Sequence, residues 1–145
     1  MNPRYKIVAE RARHRCEYCG APERVFNFPF EIEHIWPRAR AGVDEYENLA
    51  LACRACNLFK GLRTTGFDEM LQLEIELFNP RRDTWDEHFQ VDKETGLIIG
   101  LTNIGRATVH CLQMNSAQQS AARRQWIRWG ICRRADHLGS HLRLV

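Results

Sequence analysis

From Phe26 onward the chain alternates. Phe26, Phe28, Phe30 and Ile32 fall on one side, and Asn27, Pro29, Glu31 and Glu33 on the other. A period of two predicts a half-buried strand, and Pro29, which has no N–H to give, puts it at an edge or a bulge. The polar loop WPRARAGVDEYEN (36–48) follows, and then the apolar run NLALAC (48–53) predicts a second strand. A helix is expected to open at 57–61, immediately after Cys56. The predicted order is strand, loop, strand, helix.

Around this segment, Pro3 and RYKIVAERARHR predict a helix with proline in its first turn. Asp68 is expected to cap a helix over DEMLQLEIELF that Asn79-Pro80 closes. HFQVDKETGLIIGLT predicts a hairpin turning at 93–96. One helix is expected near Gly105 and a longer one over about 116–129. The fold class is therefore α+β. With 145 residues, no repeats and no low-complexity linker, a single domain over 1–145 is expected, with a core at about 16–65 and an extension at about 66–145.

Composition narrows the setting. No apolar run approaches the ~18–20 residues of a membrane-spanning helix, and the N-terminus lacks the apolar stretch of a secretory signal. A cytoplasmic protein without membrane association is expected. Six cysteines in a reducing compartment argue against disulfides, and their spacing is more telling. Cys16 and Cys19 form one CxxC, and Cys53 and Cys56 form another, each in a polar, turn-like stretch. Paired CxxC units match tetrahedral Zn2+ held by four thiolates, so a structural zinc site is expected. Cys111 and Cys132 are left as core residues.

Charge is unevenly spread. Residues 66–94 hold nine acids and three bases, whereas 101–145 hold seven arginines, no lysine and one acid, Asp136. Such a face either attracts polyanions or is simply solvated; charge alone leaves both open.

Two stretches carry more than scaffold. FEIEHIWPRA (30–39) puts Glu33 beside His34, and CRACNLFKG (53–61) runs from the second CxxC straight into Asn57 and Lys60. Asn48 lies 14 residues after His34, and Asn57 lies 23 after it. A structural zinc knuckle needs neither the amide nor the ammonium. Glu33-His34-Ile35, Asn48-Leu49 and Cys53-Arg54-Ala55-Cys56-Asn57 with Lys60-Gly61 resemble the HNH endonuclease family. The resemblance is firm over 16–61, and LFNPRRDTWDEHF and GRATV look like an extension found in small HNH proteins.

The resemblance implies a ββα-metal core with a structural zinc site, elaborated by further helices and a hairpin. It also implies a metal-dependent DNA endonuclease, with RNA open as a substrate. His34 is the expected general base, since imidazole suits proton transfer near neutral pH. Glu33 and Asn57 are the expected oxygen ligands of a catalytic Mg2+ or Mn2+. Lys60 is expected to meet a phosphate, and Asn48 to brace the loop and orient the base.

Other residues are weighed against plainer roles. Arg38 and Arg40 in the loop, and Arg123, Arg124 and Arg128 with Arg133 and Arg134 in the last helical region, are candidate backbone contacts. Trp126 and Trp129, three apart, are expected on one core-facing side. His14 is expected at the surface or near zinc, and His88 as a packing residue. His110, His137 and His141 have no defensible partner spacing. The competing function is a zinc-stabilised nucleic-acid-binding module without nuclease activity.

Overall fold

The computed structural model describes residues 1–132; Arg133, Arg134, Asp136, His137 and His141 lie outside the described residues. The described chain is α+β, with three two-stranded antiparallel sheets and five α-helices. Helix α1 (Tyr5–Arg11) comes first, and β1 (Glu31–His34) and β2 (Leu49–Ala52) then pair antiparallel, with Glu31 opposite Ala52 and His34 opposite Leu49. All four β2 residues are buried. Helix α2 (Arg54–Lys60) follows at once. It starts three residues before the expected position because the Cys53 sulfur caps it, accepting from the Cys56 N–H at 3.5 Å.

Strand β1 is shorter than its alternation suggested. Residues 23–25 form a 3-10 turn, and Phe28 remains exposed ahead of Pro29. The buried carboxylate of Glu23 organises this approach. It accepts from the Tyr5 hydroxyl at 2.6 Å and the Phe30 N–H at 2.6 Å, and pairs with His14 Nδ1 at 2.7 Å. His14 is thus a partner of Glu23.

The helix expected over DEMLQLEIELF is absent. This stretch supplies the end of β3 (Thr65–Asp68) and all of β4 (Leu73–Glu76), a second antiparallel hairpin. Asp68 is a buried strand residue here, accepting from Arg106 Nε and Nη2 at 2.9 Å each. Tertiary packing overrides helix propensity at this point. Gly66 lets α4 (Asn103–Cys111) lie directly on β3: a Cβ there would sit 2.7 Å from the Ala107 carbonyl oxygen.

The later elements follow expectation more closely. After α3 (Trp85–His88), β5 (Phe89–Val91) and β6 (Ile98–Gly100) form the hairpin. The Asp92 carboxylate shapes its turn by accepting from the Glu94 and Thr95 N–H groups. Thr102 caps α4, and Ser116 caps α5 (Ala117–Arg128). His88 packs edge-on against Phe78, with ring centroids 5.9 Å apart, as expected of a packing residue.

One apolar cluster links these parts, running from Val8 through β2 and the knuckle cysteines to Trp85, Phe89, Met114 and Trp126. Trp85 Nε1 donates to the Tyr18 carbonyl at 2.7 Å, tying the extension to the first knuckle. On α5, Ser120, Arg123 and Trp126, each three apart, face inward. Trp129, at the helix end, is exposed, so only Trp126 of the tryptophan pair is core. Arg123 corrects a sequence expectation. It is 1% exposed and donates to the carbonyls of Gly96 at 2.6 Å and Met114 at 2.9 Å, out of reach of a DNA phosphate. Among the described residues no helix is long and apolar enough to cross a membrane.

Candidate metal centre and active site

The two CxxC turns converge. The sulfurs of Cys16, Cys19, Cys53 and Cys56 lie within 4.8 Å of one another, all in buried residues, and none forms a disulfide. A tetrahedron with Zn–S bonds of about 2.3 Å has S···S edges of about 3.8 Å; Cys19 and Cys53 are 3.8 Å apart. Backbone N–H groups of Cys19 and Cys56 point at the Cys16 and Cys53 sulfurs, each at 3.5 Å, as thiolates require. Hydrogen bonds from the other three cysteines hold the Cys19 thiol well below its ordinary range. The same interactions push Cys53 and Cys56 up. Metal binding to cysteines requires their thiolates, so it is coupled to loss of the thiol protons. The donor set fits structural zinc.

Strand β1 presents two chemistries. Glu31 and Glu33, two apart, point towards α2, whose Arg54, Asn57 and Lys60 recur every three residues along the facing side. Glu33 meets Lys60: Nζ is 2.5 Å from Oε1, while the Tyr18 hydroxyl donates to Oε2 at 2.6 Å. Lys60 Nζ also donates to the Ile35 carbonyl at 2.9 Å. Glu33 and Lys60 are 4% and 1% exposed. Burial pushes the Glu33 carboxyl above its ordinary range, against the opposing pull of Lys60 and Tyr18. Two sequence expectations therefore do not hold in this arrangement. Lys60 is turned inward, its ammonium on Glu33 and not offered to a phosphate, and both oxygens of Glu33, the expected cation ligand alongside Asn57, are engaged by Lys60 and Tyr18. The Asn57 amide instead donates to Glu31 Oε2, and Arg54 pairs with Glu31 Oε1 at 3.1 Å.

His34 projects to the other side of β1, where its ring is partly exposed. Its Nε2 lies 3.0 Å from Asp44 Oδ1. The hydrogen bond from His34, aided by Arg4, holds the Asp44 carboxyl below its ordinary range. An ionised carboxylate can only accept, so His34 Nε2 is the donor in this bond. Arg4 secures Asp44 by donating to its carbonyl oxygen as well.

Asn48 clamps the intervening loop. Its Oδ1 accepts from the Trp36 N–H at 2.9 Å, and its Nδ2 donates to the carbonyls of Trp36 at 2.9 Å and Val43 at 2.8 Å. Arg38, Arg40, Arg124 and Arg128 are exposed. Three residues at this site carried no sequence signal of their own. Tyr18 lies inside the first knuckle, Glu31 is one of two acids on the strand, and Asp44 sits in a loop where polar residues are ordinary.

Residues 16–63 match the family model described as HNH endonuclease, a segment that holds both knuckles, β1, β2 and α2. No curated protein and no solved structure matches the chain.

Proposed function

We propose that this chain is a metal-dependent endonuclease that hydrolyses phosphodiester bonds in DNA, with His34 as general base. The observation that carries the proposal is the state of the His34 ring. Its Nε2 is held 3.0 Å from Asp44 Oδ1 while the side chain stays partly exposed, an orientation that suits the other nitrogen to the role of proton acceptor from a water. Asn48 keeps the loop bearing Asp44 in register with the strand bearing His34. The match of residues 16–63 to the HNH endonuclease model supports a nuclease-type role.

Magnesium and manganese ions favour hard oxygen donors. Such donors stand together at Glu31, which is partly solvent-exposed, and at Asn57. We assign a divalent cation to these two residues. When bound, the ion would supply positive charge to DNA phosphates on the α2 side of β1, whereas the His34 ring stands on the Asp44 side. Glu33, the ligand that adjacency to His34 suggested, has both oxygens engaged by Lys60 and Tyr18, and we assign it to clamping α2 against β1. Arg38, Arg40, Arg124 and Arg128 are the proposed contacts to the DNA backbone. The chain acts as a single unit over 1–145, supported by the Trp85–Tyr18 bond and the ion pair of Glu17 with Arg81.

A second reading, a zinc-stabilised nucleic-acid-binding module without nuclease activity, draws support from one observation. The Glu33–Lys60 pair removes a carboxylate from possible use on a cation. Incubation with supercoiled plasmid and Mg2+, with and without EDTA, separates the two: the enzyme relaxes or linearises plasmid only with the metal, and the binding module does neither.

A further inference from the structure

Trp36 is 46% exposed, two residues beyond His34, yet it is held from several directions. Asn48 bonds both its N–H and its carbonyl. Its indole Nε1 donates to the Arg40 carbonyl at 2.8 Å. The loop then folds tightly over its backbone: a Cβ on Gly42 would lie 1.9 Å from the Trp36 carbonyl oxygen, so only glycine fits there. The Arg40 guanidinium lies 5.1 Å from the ring centroid, and its Nη1 is anchored on Thr64 Oγ1 at 2.8 Å. The result is an aromatic plane fixed at the surface, backed by a cation, with Arg38 exposed in the same loop.

An exposed indole on a loose loop needs no explanation. One held by its backbone, its N–H and a stacked guanidinium is a preformed platform. Its chemistry suits one occupant, a nucleobase: a flat π-face for stacking, with positive charge nearby for the adjoining phosphates. In an intact duplex both faces of each base are already stacked. The platform can take a base only where it is unpaired, in a single strand, a bulge or a frayed end. We infer that Trp36, backed by Arg40, stacks an unpaired base next to the phosphate presented to His34, so that the chain prefers DNA with unpaired bases over perfect duplex. The inference rests on the nuclease reading for its position beside the cut, but base stacking can be measured without cleavage.

The test compares Trp36→Phe with Trp36→Leu. Both lose the bond to the Arg40 carbonyl, and only the first keeps a π-face. Binding of a fluorescein-labelled single-stranded oligonucleotide, the same duplex with one bulged base, and the perfect duplex is titrated without added divalent cation. Zinc content and melting temperature confirm that each variant is folded. The leucine variant is expected to bind the single strand and the bulged duplex about 5- to 150-fold more weakly than the phenylalanine variant, the range for loss of one stacked base. Their affinities for perfect duplex should agree within about twofold. Equal binding of the two variants to all three DNAs overturns the inference, and so does an equal loss on all three. If Trp36 instead serves self-association, the two variants bind DNA alike and differ from wild type in sedimentation, which also overturns it. None of these outcomes depends on whether His34 cuts DNA.

Discussion

The His34 Nε2 and the Asp44 Oδ1 lie 3.0 Å apart across a loop whose two ends are joined by Asn48. On the proposed reading, Asp44 holds the Nε2 side of the imidazole and so acts as a positioning residue for His34. Asp44→Asn keeps the loop but weakens the hold on the imidazole. Turnover should fall while DNA affinity is retained, and by less than the ~10²–10⁴ expected when a general base is removed. Single-turnover cleavage at saturating enzyme measures this. Wild-type turnover in Asp44→Asn would release Asp44 from the role.

The buried Glu33–Lys60 pair makes a prediction about stability. Removing one member leaves the other charge buried without its partner, which typically costs about 3–5 kcal/mol. Glu33→Gln and Lys60→Met should each lower the denaturation midpoint sharply. The double variant Glu33→Leu with Lys60→Met should lose less than the sum of the two single changes. Additive losses would mean that the ion pair is not the coupling between β1 and α2.

The cation assignment separates two carboxylates that share one face of β1. Glu31→Gln and Asn57→Ala should weaken metal binding, so cleavage by either should be partly restored by excess Mg2+ or Mn2+. Glu33→Gln should show no such rescue, its defect being one of stability. Activity titrated against metal concentration distinguishes these outcomes. Metal rescue of Glu33→Gln with none for Glu31→Gln would move the ion to Glu33.

Zinc should be found at about one equivalent per chain, since four thiolates form one tetrahedral site. Cys16→Ser should lose the metal and much of the fold together, because binding is coupled to folding. Metal analysis and circular dichroism on the same preparation check both. A well-folded protein free of zinc would contradict the assignment.

Much of the site's frame is legible in the sequence. The period of two through Ile32, the apolar run of β2 and the CxxC spacings place a strand pair and a helix around four cysteines, as observed. Adjacent residues were harder to read. Glu33 and His34 look like a unit along the chain, but alternation turns them to opposite faces, one to Lys60 and one to Asp44. LEIE alternates like a strand and also suits a helix; the choice was made by α4 packing on β3 through Gly66 and by the Asp68–Arg106 pair, both long-range. Arg123 sits among arginines that are exposed, and only its place on the buried 120–123–126 face distinguishes it. Distant partners leave no local trace.

Cleavage of supercoiled plasmid by wild type and His34→Ala, side by side in Mg2+, tests the proposed base most directly. Wild type should nick or linearise the plasmid, and EDTA should stop it. His34→Ala should still bind DNA and retain zinc, yet cut slower by roughly 10²–10⁴. Near wild-type cutting by His34→Ala, or no metal-dependent cutting by the wild type, would contradict it.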